Sequence, residues 1–387
     1  MSRIEELIAE RCPDGVEFLK IGQLAQVGTG SSDRKNAVEG GEYPFYVRSK
    51  EIMRIGSYEF DEEAILIPGE GGIGEIFHYV QGRYSLHQRA YRIHFTDERI
   101  NTQFAYFYFT ANFKRFILQK AVSATVTSIR KPMITDFPFP VPPLEIQQEI
   151  VRVLDTFSKM EAELEAELEA RKQQYEHYRA CLFGSMDLAE TLALSDIAEF
   201  KYGYTTKATD SGAYRFIRIT DISDAGTLRA DGAKFIEQTP ESDLYLVQPD
   251  DLLMARTGAT FGKTVIVKEN QPPAVYASFL IRVRFSGSRL LPSYYWHFAQ
   301  STLYWDQANA LVSSGGQPQF NANALKKVRV PIPDIIEQRR IVEILDKFDA
   351  LVNDLSVGLP AELAARRQQY EYYRDKLLTF KKLEPAV

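Results

Sequence analysis

Apolar residues recur along one stretch of the chain at alternating steps of four and three. Ile146, Ile150, Val153, Phe157, Met160 and Leu164 keep this rhythm, and neither Gly nor Pro occurs from Leu144 to Phe183. The pattern predicts a long helix with a coiled-coil seam. A further step of four to Leu168 shifts the register, and the alternation resumes through Arg171, Tyr175, Tyr178 and Leu182. Such a stutter unwinds a supercoil locally without ending the helix. Forty residues rise about 60 Å at 1.5 Å each. The rhythm returns at Ile341, Ile344, Phe348, Leu351 and Leu355, until Gly358 and Pro360 break it and predict a new helix from Pro360. Elsewhere the chain shows short β-rich runs, such as Ala64-Ile65-Leu66-Ile67 and Thr264-Val265-Ile266-Val267, divided by Gly and Pro turns. Aromatic helical stretches are predicted near Gln103–Lys120 and Tyr294–Leu311. Each globular part reads as α+β, a mixed curved sheet with a few helices.

The chain is a duplicated unit. Pro140-Val141-Pro142-Pro143 leads to Ile146-Gln147-Gln148-Glu149-Ile150-Val151-Arg152-Val153-Leu154-Asp155-Thr156-Phe157. Pro331-Ile332-Pro333 leads to Ile336-Glu337-Gln338-Arg339-Arg340-Ile341-Val342-Glu343-Ile344-Leu345-Asp346-Lys347-Phe348, an offset of 191 residues. Arg171-Lys172-Gln173-Gln174-Tyr175-Glu176-His177-Tyr178-Arg179 matches Arg366-Arg367-Gln368-Gln369-Tyr370-Glu371-Tyr372-Tyr373-Arg374, now at an offset of 195. The second copy thus carries about one extra helical turn. Fainter echoes place Val47-Arg48 with Ile217-Arg218, and Ile65-Leu66-Ile67 with Leu252-Leu253-Met254. The order is a domain over 1–143, a helix over 144–185, a domain over 186–333, and a helix with its tail over 334–387.

Of 387 residues 45% are hydrophobic, ample for packed cores, and no run of 18 apolar residues predicts a membrane span. The charged start Met1-Ser2-Arg3-Ile4-Glu5-Glu6 lacks the apolar stretch of a secretory leader. Cys12 and Cys181 make neither a zinc spacing nor a disulfide framework, which reads as a reduced cytoplasmic protein. The net charge of −6 and pI of about 5.6 argue against nucleic acid when taken whole. The distribution changes that. Leu144–Phe183 has nine acidic and five basic residues, Asp334–Phe380 has nine and seven, and the remainder balances at 34 against 34. The globular parts are neutral, so local Lys and Arg clusters are left to attract DNA.

Motifs that suggest catalysis lack their contexts. Gly69-Glu70-Gly71-Gly72-Ile73-Gly74 fits a dinucleotide fingerprint, but a strand-like run, Glu75-Ile76-Phe77-His78-Tyr79-Val80, follows where a helix is needed. Gly258-Ala259-Thr260-Phe261-Gly262-Lys263-Thr264 is one residue short of a P-loop and also runs into a strand. Both read as tight β-β loops at the same place in the repeat. His78, His87, His94, His177 and His297 show no H-x-x-x-H spacing. No Asn-Pro-Pro-Tyr/Phe or Asp-Pro-Pro-Tyr motif of an adenine methyltransferase occurs, and Pro249-Asp250 lacks the Glu-x-Lys of a nuclease.

The repeated Pro-x-Pro, the Gln-x-x-Ile-Val-x-x-Leu-Asp-x-Phe runs and the Gln-Gln-Tyr-Glu-x-Tyr-Arg runs resemble the specificity (S) subunits of type I restriction-modification systems. So do the opening Cys12-Pro13-Asp14-Gly15-Val16-Glu17-Phe18 and the closing Tyr370-Glu371-Tyr372-Tyr373-Arg374-Asp375-Lys376-Leu377-Leu378-Thr379-Phe380. The resemblance covers the whole chain in domain order. It implies two target recognition domains that read the halves of a bipartite, asymmetric DNA site. It implies two long helices paired as an antiparallel, pseudo-twofold coiled coil that sets the spacer. Partners implied are double-stranded DNA, two modification subunits holding S-adenosylmethionine, and two restriction subunits using ATP and Mg, with no cofactor, metal or catalytic residue in this chain. Candidate readers in the first domain are Ser31, Ser32, Arg34, Lys35, Arg48, Lys50, Arg83, His87, Gln88 and Arg89. In the second they are Thr205, Thr206, Lys207, Arg218, Thr220, Arg256, Thr257, Thr260, Lys263, Gln317, Gln319 and Asn321. Arg and Lys suit guanine edges, and Asn and Gln suit adenine edges. Arg48 and Arg218 stand out as recurring at matching places, a recurrence that a structural ion pair would equally produce. Seam and partner-docking candidates are Ile150, Phe157, Tyr175, Tyr178, Ile341, Phe348, Tyr370 and Tyr373. Two other classes stay open: a coiled-coil scaffold that binds only protein, and a stand-alone restriction-modification enzyme. A DNA footprint of the assembled complex separates the first from a DNA reader. The missing motifs predict that the purified chain alone neither methylates nor cuts DNA, with or without S-adenosylmethionine, ATP or magnesium. Methyl transfer by the chain free of its partners would overturn this reading.

Overall fold

The structure, a computed structural model, describes residues 3–72, 74–120, 128–186, 189–268, 272–287, 289–313 and 318–384. They form two compact units, Met1–Glu163 with Ala364–Val387, and Leu164–Leu363. Each unit holds one globular domain, the near half of the long helix that follows it, and the far half of the other copy's helix.

In the first unit a six-stranded sheet runs in the order Ala25–Thr29, Ala90–Phe95, Phe60–Pro68, His78–Leu86, Tyr43–Tyr46, Ile52–Ile55. Its central strand buries Ala64, Ile65, Leu66 and Ile67 in succession, the signature of a strand covered on both faces. Ile65 stands opposite both Tyr79 and Ile93. The helix Thr102–Lys120 buries Phe104, Phe107, Tyr108, Phe109 and Phe113 in the core. Phe137 completes the aromatic packing, 4.9 Å from Phe109 and 5.2 Å from Phe113. A helix apolar on so many sides is stable only inside a core.

The second unit repeats this plan with a divided sheet. Ala198–Tyr202, Leu280–Phe285, Leu252–Ala255 and Thr264–Ile266 make one sheet; Lys234–Ile236, Tyr214–Ile217 and Ala274–Tyr276 make another. Where the first domain has the single nine-residue strand His78–Leu86, the second has two short ones. The predicted helix Tyr294–Leu311 is also divided, into Pro292–Phe298 and Thr302–Leu311. Ser301 is the reason: its hydroxyl accepts from Tyr304 N at 3.3 Å and caps a new helix.

The duplication is exact at the level of register in the base of each domain. Phe18 pairs with Pro140 as Thr191 pairs with Pro331. One short helix follows each pairing, Ile21–Leu24 and Leu194–Ile197, burying its first and last residues.

The first long helix, Leu144–Gly184, is unbroken over 41 residues. Its counterpart is two helices, Ile335–Asn353 and Leu359–Leu377. The break needs Gly358, because a Cβ there would lie 2.4 Å from Ala350 O. The helices pair antiparallel through the same rings in both units. Phe157 stacks on Tyr373 at 5.5 Å and lies 6.4 Å from Tyr370. Phe348 stacks on Tyr178 at 5.2 Å and on Tyr175 at 6.0 Å. Arg367 Nε donates to Glu161 at 2.6 Å alongside the first pair. The seam is less continuous than the heptads predict. Ile150 and Ile341 are fully buried, but within the domain cores. Met160 lies at the surface, and Leu355, turned outward by the break, is 82% exposed.

Asp349 sits half-buried on the helix beside Phe348, accepting from Asn353 Nδ2 at 2.8 Å. Burial raises its carboxyl above the ordinary range, against the opposing pull of Asn353, His297 and Lys268. The folded state therefore binds this proton more tightly than the unfolded chain. Its contribution to stability is lost as pH rises from the ordinary carboxylate range through the raised value. At neutral pH the ionised group is a net cost. Asp349→Asn is expected to raise the melting temperature at pH 7 by a few degrees, with the gain vanishing below about pH 3. Thermal melts of both proteins across pH check this.

Candidate nucleic-acid interface

In each domain three segments meet at one place, drawn together by backbone contacts. Gly30 and Gly203 end the first sheet strands against a tight turn. A Cβ on Gly30 would lie 1.8 Å from Leu86 O, and one on Gly203 would lie 2.2 Å from Ala277 O, so no larger residue fits. The loops beyond are bonded to the turns by Gln88 N to Ser32 O at 2.8 Å and Ser278 N to Tyr204 O at 3.0 Å. The third segment follows the central strand: Gly69 N donates to Arg89 O at 2.8 Å, and Arg256 N to Phe279 O at 3.0 Å.

These bonds correct one expectation. His87 N donates to Tyr46 O as Ala277 N donates to Ile217 O. Tyr46 therefore matches Ile217, and Arg218 corresponds to Val47 rather than to Arg48. The repeat has drifted by one residue within the domains, where loop lengths differ.

In the first domain Ser31, Ser32, Arg34, Lys35, Arg48, His87, Gln88 and Arg89 belong to this cluster. Glu70 accepts from Arg48 Nη1 at 2.9 Å and from Arg89 Nη1 at 3.2 Å. Arg89 foremost, then Arg48, holds its carboxyl below the ordinary range. Asp33 accepts from Gln88 Nε2 at 3.0 Å and from Lys35 N at 3.3 Å, and the Lys35 amide is the main cause of its lowered pKa. Ser31 and Ser32 donate their hydroxyls to Glu59 at 2.6 and 2.7 Å. His87 is buried, and burial lowers its pKa. Its Nδ1 accepts from Arg89 N at 3.0 Å, so it locks the turn and presents no edge to a ligand. Arg34, Lys35, Gln88 and Arg89 are exposed. Lys50 lies instead in a hollow with Gly74, Glu75 and Tyr106. Arg83 bonds Asp61 at 3.1 Å and lies over the Tyr58 ring at 4.8 Å, in surroundings of its own.

In the second domain Thr205, Thr206 and Lys207 are exposed on the loop after Tyr204. Arg256 occupies the position of Gly69. Its guanidinium lies 5.2 Å from the Tyr202 ring and 5.5 Å from that of Phe279, both well exposed. Arg256 Nε donates to Ser278 O at 3.0 Å. A planar cation held between aromatic faces is pre-organised for a flat acceptor. Thr257 is buried and pairs with exposed Gln319 in a β-bridge; Thr260 Oγ1 donates to Thr257 O at 3.3 Å. Asn321 has a structural task, accepting from Ala324 N at 3.0 Å as a helix cap. Lys263 is paired with Asp224. The Arg218 guanidinium makes two bonds to Asp221, the shorter 2.6 Å, and one to Gly232 O, its backbone N adds a third to Asp221 at 2.8 Å, and exposed Thr220 lies beside it. Gln317 lies outside the described residues. Sequence reasoning missed Glu70, Tyr202 and Phe279. Their signal is positional: each lies within the same three segments as Arg89 and Arg256.

Both glycine loops, 69–74 and 258–264, lead into strands, His78–Leu86 and Thr264–Ile266. No helix among the described residues is long and apolar enough to cross a membrane.

The family pattern of the type I restriction modification DNA specificity domain matches residues 13–171 and again 186–365. The chain belongs to this family. It is a DNA-recognition chain with two specificity domains, of a family concerned with recognition rather than catalysis. It is 28% identical over 356 residues to a putative type I restriction enzyme specificity subunit of Haemophilus influenzae, covering 88% of this chain and 89% of that one. It is 32% identical over 249 residues to a type I restriction enzyme specificity subunit of Escherichia coli, covering 62% and 61%. The fold is that of a crystallised type I S subunit from M. genitalium, with a TM-score of 0.60 at 16% identity and coverage of 96% and 97%.

Within this specificity chain Arg218 is a structural residue, since its partner Asp221 is almost fully buried. Arg218→Ala would keep the bond from the residue 218 amide but strip that buried carboxylate of its two guanidinium bonds, at a cost of about 1–3 kcal/mol. The expected outcome is a lower melting temperature with an unchanged DNA target, checked by calorimetry and by sequencing of methylated sites.

Proposed function

We propose that each unit reads one half of a bipartite, asymmetric site on double-stranded DNA. The carrying observation is that the same three segments converge in both domains and present different polar side chains: Gln88 and Glu70-braced Arg89 in one, ring-flanked Arg256 with Lys207 in the other. Equal frames with unequal readers suit two unequal half-sites. Arg and Gln supply bidentate contacts to guanine and adenine edges, and exposed Lys supplies phosphate contacts. The paired helices set the distance between the readers and dock two modification subunits. Those subunits bring S-adenosylmethionine and methylate adenine. Two restriction subunits bring ATP-driven translocation and Mg-dependent cleavage. This chain contributes recognition and needs no cofactor.

The test is genome-wide methylation in cells that express this chain with its modification partner. The expected result is a two-part motif. Arg256→Ala should relax one or more positions in the half read by the second unit and leave the other half intact, at about 1–3 kcal/mol of lost discrimination per base contact. An undivided motif, or a change in both halves, would overturn the reading.

A further inference from the structure

One buried amide in each unit joins the long helix to its domain. Gln147, in the first turn of Leu144–Gly184, has no exposed surface. Its Oε1 accepts from Asn101 N at 2.8 Å, and its Nε2 donates to Arg99 O and to Pro142 O, both at 2.7 Å. Gln338, in the first turn of Ile335–Asn353, is equally buried. Its Oε1 accepts from Leu291 N at 2.9 Å, and its Nε2 donates to Arg289 O at 2.8 Å and Pro333 O at 2.9 Å. The two networks match bond for bond. Every partner is a backbone group, so only the glutamine itself must keep its identity. Asn101 and Leu291 immediately precede the aromatic helices Thr102–Lys120 and Pro292–Phe298, and Pro142 and Pro333 lie just before the long helices. Each amide therefore ties the start of a domain helix to the start of a long helix.

We propose that Gln147 and Gln338 are positioning residues that fix each recognition domain at one angle to its helix, and so determine which spacer lengths the complex accepts. The proposal rests on the bipartite reading above. Apolar contacts around these feet are non-directional and allow two surfaces to rotate on each other. Three hydrogen bonds from one planar amide do not, because each restricts both distance and angle. The lever is long. At the foot of a 41-residue helix, about 60 Å, a tilt of about 3° moves the far end about 3 Å, close to one base-pair step. The 19-residue helix Ile335–Asn353, about 28 Å long, needs about twice that tilt for the same displacement. Loosening Gln147 should therefore broaden the spacer more than loosening Gln338.

The experiment uses the full chain assembled with its modification subunits. Gln147→Met and Gln338→Met keep the side-chain length and remove all three bonds. Gln147→Glu keeps the acceptor oxygen but, when ionised, no donor. Methylated motifs are sequenced for each variant and for the wild type, and complex yield and melting temperature are recorded. The expected result keeps both half-sites unchanged and adds sites whose spacer differs by one base pair, reaching about a tenth of native-spacer sites for Gln147→Met and fewer for Gln338→Met. A lower melting temperature with the native spacer alone would overturn the proposal, as would loss of the complex in all three variants, which would assign these residues to folding. A wild-type complex with no two-part motif would remove the bipartite reading and this proposal together. A two-part wild-type motif that the variants leave untouched would remove this proposal alone.

Discussion

A helix that is charged on most of its surface stands only by what it leans against. Leu144–Gly184 buries Ile146, Ile150 and Leu154 in the core of the first unit, and Tyr175 and Phe183 in the core of the second. In proteins, packing of an apolar face supplies most of a helix's stability. The same dependence runs the other way. The first core includes Leu378 from the last helix, and the second includes Tyr175 and Phe183 from the first. Neither copy of the repeat closes its own core along the sequence, so the exchange of helix halves is a condition of the fold.

The recognition surfaces follow from that base. Once the paired strands and helices fix the frame, His87 and Ala277 are buried in the turns at 87–89 and 277–279, and the side chains that follow, Arg89 and Phe279, are exposed and released for other work. Arg89 stands where the second domain has Phe279, and Arg256 where the first has Gly69. A cation thus reaches the same place from opposite sides of one backbone hydrogen bond. In one case it is steadied by a carboxylate, in the other by two rings.

The helices were legible because their periodicity and their repeat offset are written in side chains that pack. Phe157 and Phe348, or Tyr178 and Tyr373, declare themselves as counterparts in the repeat by type and spacing. The break at Gly358 was visible for the same reason, since glycine and proline act through the local backbone. Within the domains legibility fell. Sheet register depends on which amide meets which carbonyl, and residue types do not record it. Arg48 and Arg218 therefore looked equivalent until the bonds of His87 and Ala277 showed a shift of one. Ser301 read as part of a helix because a capping serine and a helical serine differ only in context. Of the candidate readers, His87 and Asn321 are polar for structural reasons, as a turn lock and a helix cap. Gln147 and Gln338 lay in the matched segment, but nothing in their identity distinguished a solvated glutamine from a buried one.

The crowded glycines Gly30 and Gly203 have a consequence for the loops that follow them. Each fixes the point where a loop leaves the sheet, and what crowds it there is peptide backbone. Stretches 31–36 and 204–211 differ in sequence while their first residues meet the adjoining turn through the same kind of backbone bond. One frame thereby carries unlike loops in its two copies, Ser31-Ser32-Asp33 in the first and Tyr204-Thr205-Thr206 in the second.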